Sequence, residues 1–279
     1  MSLSFQTNVT ALTAEHNLQV NSQFQAATIT RLTSGFRINS SADDAAGLAV
    51  ANGLRSSISE LTQGVRNATD GTNILQTIDG GLNNISNILD QLKSLASQSA
   101  SGTFQGSRAT LNSQFTTLLG EIDRQAANIG LASGSGAGAQ YNTSLTVYIG
   151  GGSSQQNGEV KIDLSGSGNV VDTNGLGLAG KKVDTTTNAL AAITAITSAV
   201  QSLGQTQGSV GTGENDLNYA VSLAQSQITN LSASESSIRD ADVAAEAANL
   251  TKSQVLEQSS VAALAQANAA PQALLKLLQ

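Results

Sequence analysis

Apolar residues recur every three or four positions through both ends of the chain, and that rhythm fails only in the middle. Phe5, Val9, Leu12, Val20, Phe24 and Ala27 share one face of a first predicted helix, with His16 in the slot the rhythm skips. Ser34–Gly35 is a helix stop, and Ser40–Ser41–Ala42–Asp43–Asp44 supplies capping oxygens for the next helix. Leu54, Ile58, Leu61, Val65, Ala68, Thr72 and Leu75 then follow 4-3 spacing. Ile78, Leu82, Ile85, Leu89, Leu92 and Ala96 resume it after a register break equivalent to a three-residue insertion. The product is a predicted helix of about 50 residues, roughly 75 Å long. Ser101–Gly102 closes it, and a shorter helix carries Leu111, Phe115, Leu118, Ile122 and Ile129.

Residues 130–180 hold 13 of the 27 glycines. Two alternating stretches there, Leu145–Ile149 and Val160–Leu164, read as strands of a hairpin joined by GGGSSQQNG. Beyond this window a second seam runs in phase through Ile193, Ile196, Val200, Leu203, Gln207, Val210, Glu214, Leu217, Val221, Ala224, Ile228, Leu231, Glu235 and Ile238. Gly204, Gly208, Gly211 and Gly213 interrupt it, each costing about 1 kcal/mol in an exposed helix, so this is where helical continuity is weakest. Two long seams separated by an insertion pair antiparallel and bring the chain ends together. The expected fold is therefore mainly α: a long antiparallel helical bundle or coiled coil formed from both chain ends, with a small β-hairpin in the middle segment. Its seam is drawn from Leu54, Ile58, Leu61, Ile85, Leu89 and Leu92 on one helix and Leu217, Val221, Ile228 and Leu231 on the other.

Composition sharpens this picture. Aromatic residues make up only 3%, and Trp and Cys are absent, which favours long helices packed side by side over an aromatic-rich core. A formal charge of −7 without a Lys/Arg cluster argues against nucleic-acid and anionic-membrane partners. MSLSFQTNVT carries neither a basic nor an apolar signal region, and no 18-residue apolar run occurs. Between Glu15 and Arg31 the one titratable residue is His16, an unusual state for a helix with a water-facing side; this segment is expected to have neighbours on more than one side.

Candidate chemistry is sparse. His16 reads as a packing or hydrogen-bonding residue rather than a ligand, and Asp43–Asp44 as caps rather than paired catalytic acids, since no second acid, His or nucleophile travels with them. No phosphate loop or HExxH motif is present. No catalytic, metal or cofactor site is expected, so the chain reads as a non-enzyme. Gln207, Glu214 and Glu235 read as register or packing choices within the seam, with an inter-subunit contact as the alternative.

The stretches RLTSGFRINSSADDAAGLAVANGLRS (31–56), TDGTNILQTIDGGLNNISNILDQLKSLASQSASGT (69–103) and EIDR (121–124) resemble the N-terminal half of bacterial flagellins. SSIRDADVAAEAANLTKSQVLEQSSVAALAQANAAPQALLKLLQ (236–279) resembles their C-terminal half, so the likeness covers roughly 1–130 and 185–279. It implies a structural subunit that polymerises into the helical flagellar filament for motility, in a minimal form without outer variable domains. It implies a terminal helical domain lining the filament core (1–40 and 243–279), a helical rod domain (41–130 and 185–242) and a Gly-rich hairpin segment of that rod (131–184). Assembly would be carried by Phe5, Val9, Leu12, Val20, Phe24, Leu250, Val261, Leu264, Leu275 and Leu278. The implied partners are other flagellin copies, an export chaperone, a cap protein and hook-junction proteins, with secretion through the flagellar type III apparatus to an extracellular flagellum. Innate receptors of vertebrates bind a rod surface of some members, matching LDQLKSLASQ (89–98) and the helix around Gln114 here. Gln91 stands where recognised members carry Arg, and Gln114 where they carry Glu, so weak recognition is expected. The Ser/Thr-rich window could accept O-linked sugars. Two other readings are a hook–filament junction protein of the same superfamily and an enzyme on a helical scaffold.

Overall fold

A computed structural model describes residues 7–134, 136–150, 158–166 and 168–277, with the side chains of 137 and 270–277 left aside. Among the described residues five α-helices are present: α1 (Val9–Ser34), α2 (Ala45–Ala100), α3 (Arg108–Asn128), α4 (Thr186–Arg239) and α5 (Val243–Leu277). Two strands, β1 (Ser144–Tyr148) and β2 (Glu159–Asp163), pair antiparallel with Val147 opposite Val160. The strands start and end one residue earlier than the alternation predicted, and the loop 151–157 lies outside the described residues. The chain divides into two compact units, residues 1–56 with 230–279 and residues 57–229, so α2 and α4 each contribute to both.

Within 57–229, α2 buries Leu61, Gly64, Ala68, Gly71, Leu75, Ile78, Leu82, Ile85, Leu89, Leu92, Ala96 and Ser99. That is unbroken 3-4 spacing, and the expected register break is absent. Val65 and Thr72 are only half-buried, and the seam runs through the glycine beside each, Gly64 and Gly71. In α4 the same correction applies. Ile196, Leu203, Val210 and Leu217 are buried as expected, but the alternate positions are Ala199, Thr206 and Gly213, one residue before Val200, Gln207 and Glu214. From Ile196 to Leu217 α4 thus alternates a large with a small side chain, and α2 has its small residues together at Gly64, Ala68 and Gly71, which lets another backbone approach closely at those positions. Contacts between Gly71 and Leu217 and between Asn83 and Gln207 run in opposite chain directions, so the two helices are antiparallel.

The hairpin explains the glycines. A Cβ on Gly64 would lie 1.7 Å from Ile149 O, one on Gly71 3.0 Å from Val147, and one on Gly213 2.8 Å from Ile162. Val147, Ile149, Ile162 and Leu164 are buried from the hairpin side. On α3 the buried set is Leu111, Phe115, Leu119, Ile122 and Ala126, with Leu119 replacing the expected Leu118. The segment after the hairpin is held by side chains. Asp172, buried, accepts from Gly175 N at 2.7 Å and from Ser133, and Asp123 accepts from Thr173 N at 2.8 Å.

Helix α4 runs unbroken through Gly204, Gly208 and Gly211, each of which has open space where a Cβ would stand. Replacing any of the three with Ala is expected to raise stability by about 0.5–1 kcal/mol, since only the backbone entropy of glycine is removed. Urea unfolding of the soluble chain measures this, and an unchanged midpoint for all three would contradict it.

Candidate functional site: the paired terminal helices

Asn8 caps α1, its Oδ1 accepting from Ala11 N at 3.1 Å, and Gly35 ends it in the left-handed conformation at φ 75°. Asp44 caps α2 by accepting from Gly47 N at 2.8 Å. α1 and α5 pair antiparallel. Asn8 Nδ2 donates to Ala267 O at 2.8 Å, Asn21 Nδ2 to Ser260 Oγ at 3.1 Å, and Arg31 pairs with Glu246 at 3.6 Å.

The inner side of the pair is poor in large apolar groups. On α1 the half-buried or buried residues are Ala11, Ala14, Leu18, Asn21, Gln25, Thr28, Arg31 and Leu32; on α5 they include Leu250, Ser253, Glu257, Ser260, Leu264 and Ala267. Thr28 and Ser253 are fully buried. The outer side carries what a soluble helix pair would hide. Val9 is 64% exposed, Leu12 55%, Val20 48% and Phe24 41%, with Val255 and Val261 exposed on α5. At 100° per residue, Val9, Leu12 and Val20 lie roughly 120–160° from the centre of the inner seam of α1 and Phe24 about 80° from it, on the flank. Polarity is inverted relative to an ordinary two-helix coil, and the surplus apolar area faces away from α5.

Where the helices meet, Asp43 Oδ2 accepts from Ser40 N at 2.8 Å, Asn39 N at 3.1 Å and the Ser40 hydroxyl at 3.1 Å. These donors, the Ser40 amide foremost, hold the Asp43 carboxyl below its ordinary value, with Arg31 adding a smaller pull. A folded-state value lowered in this way stabilises the turn fully above the ordinary carboxylate range and fades as pH falls through the lowered value. Acidification below about pH 4 is therefore expected to release the 39–43 turn, and Asp43→Asn to abolish that acid step. The Ser40 amide shift across an acid titration reports it, and a flat wild-type trace would refute it.

The model of the bacterial flagellin N-terminal helical region matches residues 5–146, and that of the C-terminal helical region matches 193–278. The chain belongs to the bacterial flagellin family. It is similar to a flagellin of Halalkalibacterium halodurans, 34% identical over 98% of both chains. A flagellin of Listeria monocytogenes is 33% identical over 98% of both. A flagellar filament 30.7 kDa core protein of Treponema maltophilum is 32% identical over 97% of this chain and 98% of that one. The chain is thus a structural subunit of the flagellar filament, in a compact form without a variable domain.

For this flagellin the expected assembly residues fall into three groups. Val9, Leu12, Val20, Phe24 and Val261 are exposed, whereas Leu250 and Leu264 are half-buried. Phe5, Leu278 and the side chain of Leu275 lie outside the described residues. Of the rod seam, Leu61, Ile85, Leu89, Leu92 and Leu217 are buried, and Ile58, Val221 and Ile228 half-buried. Leu54 and Leu231, also half-buried, belong to the unit of the terminal helices. The inner seam has no apolar signature, because Asn21, Gln25, Thr28, Ser253, Glu257 and Ser260 are polar; their signal is the 3-4 spacing alone.

Proposed function

We propose that the outward stripes of α1 and α5 are covered by other copies of this flagellin, and that these helices order fully only on assembly. The inverted polarity of the pair carries this reading. Each ordered residue costs about 1–2 kcal/mol of backbone entropy, and a seam of small and polar side chains offsets little of it. Burial against neighbours supplies what the isolated pair lacks. Every copy meets the next head to tail without closure, so the product is an open helical fibre. In this reading residues 1–40 and 243–279 line the filament core, 41–130 and 185–242 form the rod, and 131–184 its hairpin segment. The chain carries no catalytic role. It is secreted through the flagellar export apparatus, with an export chaperone, the filament cap and hook-junction proteins as partners. Limited proteolysis tests this: both ends should be trimmed in the soluble chain and protected in seeded filaments. Identical trimming of the two forms would sink it.

Recognition by vertebrate innate receptors is proposed to be weak. Gln91, Ser94, Leu95, Gln114, Thr117 and Leu118 line an open groove of about 500 Å³, in which both expected charged contacts are neutral amides. Gln91→Arg with Gln114→Glu is expected to strengthen a reporter-cell response, and a wild-type response equal to that of a strongly recognised flagellin would refute the proposal.

A further inference from the structure

Apart from Leu18, Leu32, Leu250 and Leu264, the seam between α1 and α5 is built of small or polar residues such as Ala11, Ala14, Thr28, Ser253 and Ala267, so few knobs penalise a slide of one helix along its partner. The contacts Asn8–Ala267, Asn21–Ser260 and Arg31–Glu246 favour one alignment, and a further set lies where the helices meet the rest of their unit. There, Gly35 ends α1 and the chain runs straight into a single bridge between Phe36 and Asp240. Arg37 N donates to Arg239 O at 2.6 Å, and Ala241 N to Gly35 O at 2.9 Å. Among the described residues these are the backbone–backbone hydrogen bonds that join residues 7–56 to residues 230–277.

A bridge of one residue pair can re-form further along either strand, so a side chain has to select the pairing. The Arg239 guanidinium lies 4.1 Å from the centroid of the Phe36 ring, with its side chain only 18% exposed and Glu235 at 3.9 Å. Its Nε is buried without a hydrogen-bond partner, so the ring face is what this part of the cation meets. Desolvation of this kind is the condition under which a cation–ring contact is strongest. From the other strand, Arg37 Nη2 donates to Ile238 O at 2.6 Å and straps the same turn. We propose that Arg239, through its stack on Phe36, is the positioning residue that fixes the alignment of α5 on α1, and with it the direction in which the stripe of Val9, Leu12, Val20 and Phe24 points. The proposal rests on the assembly reading above.

The chain has no cysteine, so an introduced pair reports alignment cleanly. Asn21→Cys with Ser260→Cys joins residues already in hydrogen-bond contact, and Asn21→Cys with Ser253→Cys reports a slide of one heptad. Each full-length variant is copolymerised as a minor fraction with wild-type chains and oxidised. With Arg239 and Phe36 intact, only the first pair should close. Arg239→Met or Phe36→Leu should lower that disulfide roughly three- to tenfold and raise the second. Arg239→Lys, which keeps a cation over the ring, should restore the native pair. Exclusion of Arg239→Met but not Arg239→Lys from the copolymer would also support the role. The proposal is overturned if the Met and Leu variants both keep the native disulfide at the level seen with Arg239 and Phe36 intact, if Lys behaves as Met does, or if cysteine-pair chains with Arg239 and Phe36 intact close neither pair in the filament. Failure of the wild-type chain to form filaments at all would instead overturn the assembly reading.

Discussion

Gly64→Ala should destabilise residues 57–229 by about 2 kcal/mol or more, against every expectation from helix propensity. An alanine in mid-helix ordinarily gains about 1 kcal/mol over glycine. Here the new Cβ would lie 1.7 Å from Ile149 O and 2.3 Å from Ile149 C, both backbone atoms that no rotamer change can move aside. The end of β1 must lift, and Val147, Ile149 and Ile162 seat the same hairpin on both helices. Partial loss of even two such side chains, at about 1.5–3 kcal/mol each when fully buried, exceeds the propensity gain. Gly80→Ala is the matched control, since nothing lies within 4 Å of its Cβ position. It should raise the urea midpoint slightly while Gly64→Ala lowers it well outside error. A Gly64→Ala midpoint equal to that of Gly80→Ala would mean the hairpin does not sit on α2 as described.

The helices and hairpin were legible because their large residues recur at fixed intervals, and Leu61, Leu75, Leu82, Leu89, Leu203, Val210 and Leu217 are all buried where spacing put them. What the spacing hid were five small or polar seam positions. Gly64, Gly71, Ala199, Thr206 and Gly213 are chosen for the volume they leave free, and hydrophobicity does not measure that. In α2 apolar character points to the neighbouring Val65 and Thr72 and so to a register break that the fold does not contain; in α4 an in-phase 3-4 count points to Val200, Gln207 and Glu214, one residue past the buried positions. The terminal helices fail in the opposite sense. There the apolar rhythm of α1 is real but marks the side turned away from α5, because the missing neighbours are not part of the chain. The 165–185 segment was opaque for a third reason: Asp172 and Asp123 fix it through backbone amides, and such bonds leave no periodic trace.

Phe24→Asp is expected to abolish filament growth at concentrations that fully assemble the wild-type chain. In the single chain Phe24 is 41% exposed on the flank of α1, so a carboxylate there meets water and leaves the soluble chain essentially undisturbed. Under a neighbouring copy the same carboxylate would be buried without a partner, because α1 holds no Lys or Arg between Glu15 and Arg31. An unpaired buried charge costs about 3–5 kcal/mol, and each 1.4 kcal/mol is a factor of ten, so the critical concentration should rise roughly a hundredfold to a thousandfold or more. Leu12→Ala removes apolar area without adding charge and should give a smaller rise of roughly tenfold to a hundredfold. Sedimentation of seeded reactions over a concentration series separates the two, with circular dichroism of the soluble fraction confirming that the unit 57–229 stays folded. The order of the effects matters as much as their size: a neighbour that buries the stripe penalises charge more than lost area, whereas a stripe left in water would tolerate Asp and Ala alike. Growth of the Phe24→Asp chain at the wild-type critical concentration would place the filament contacts of α1 on some other face.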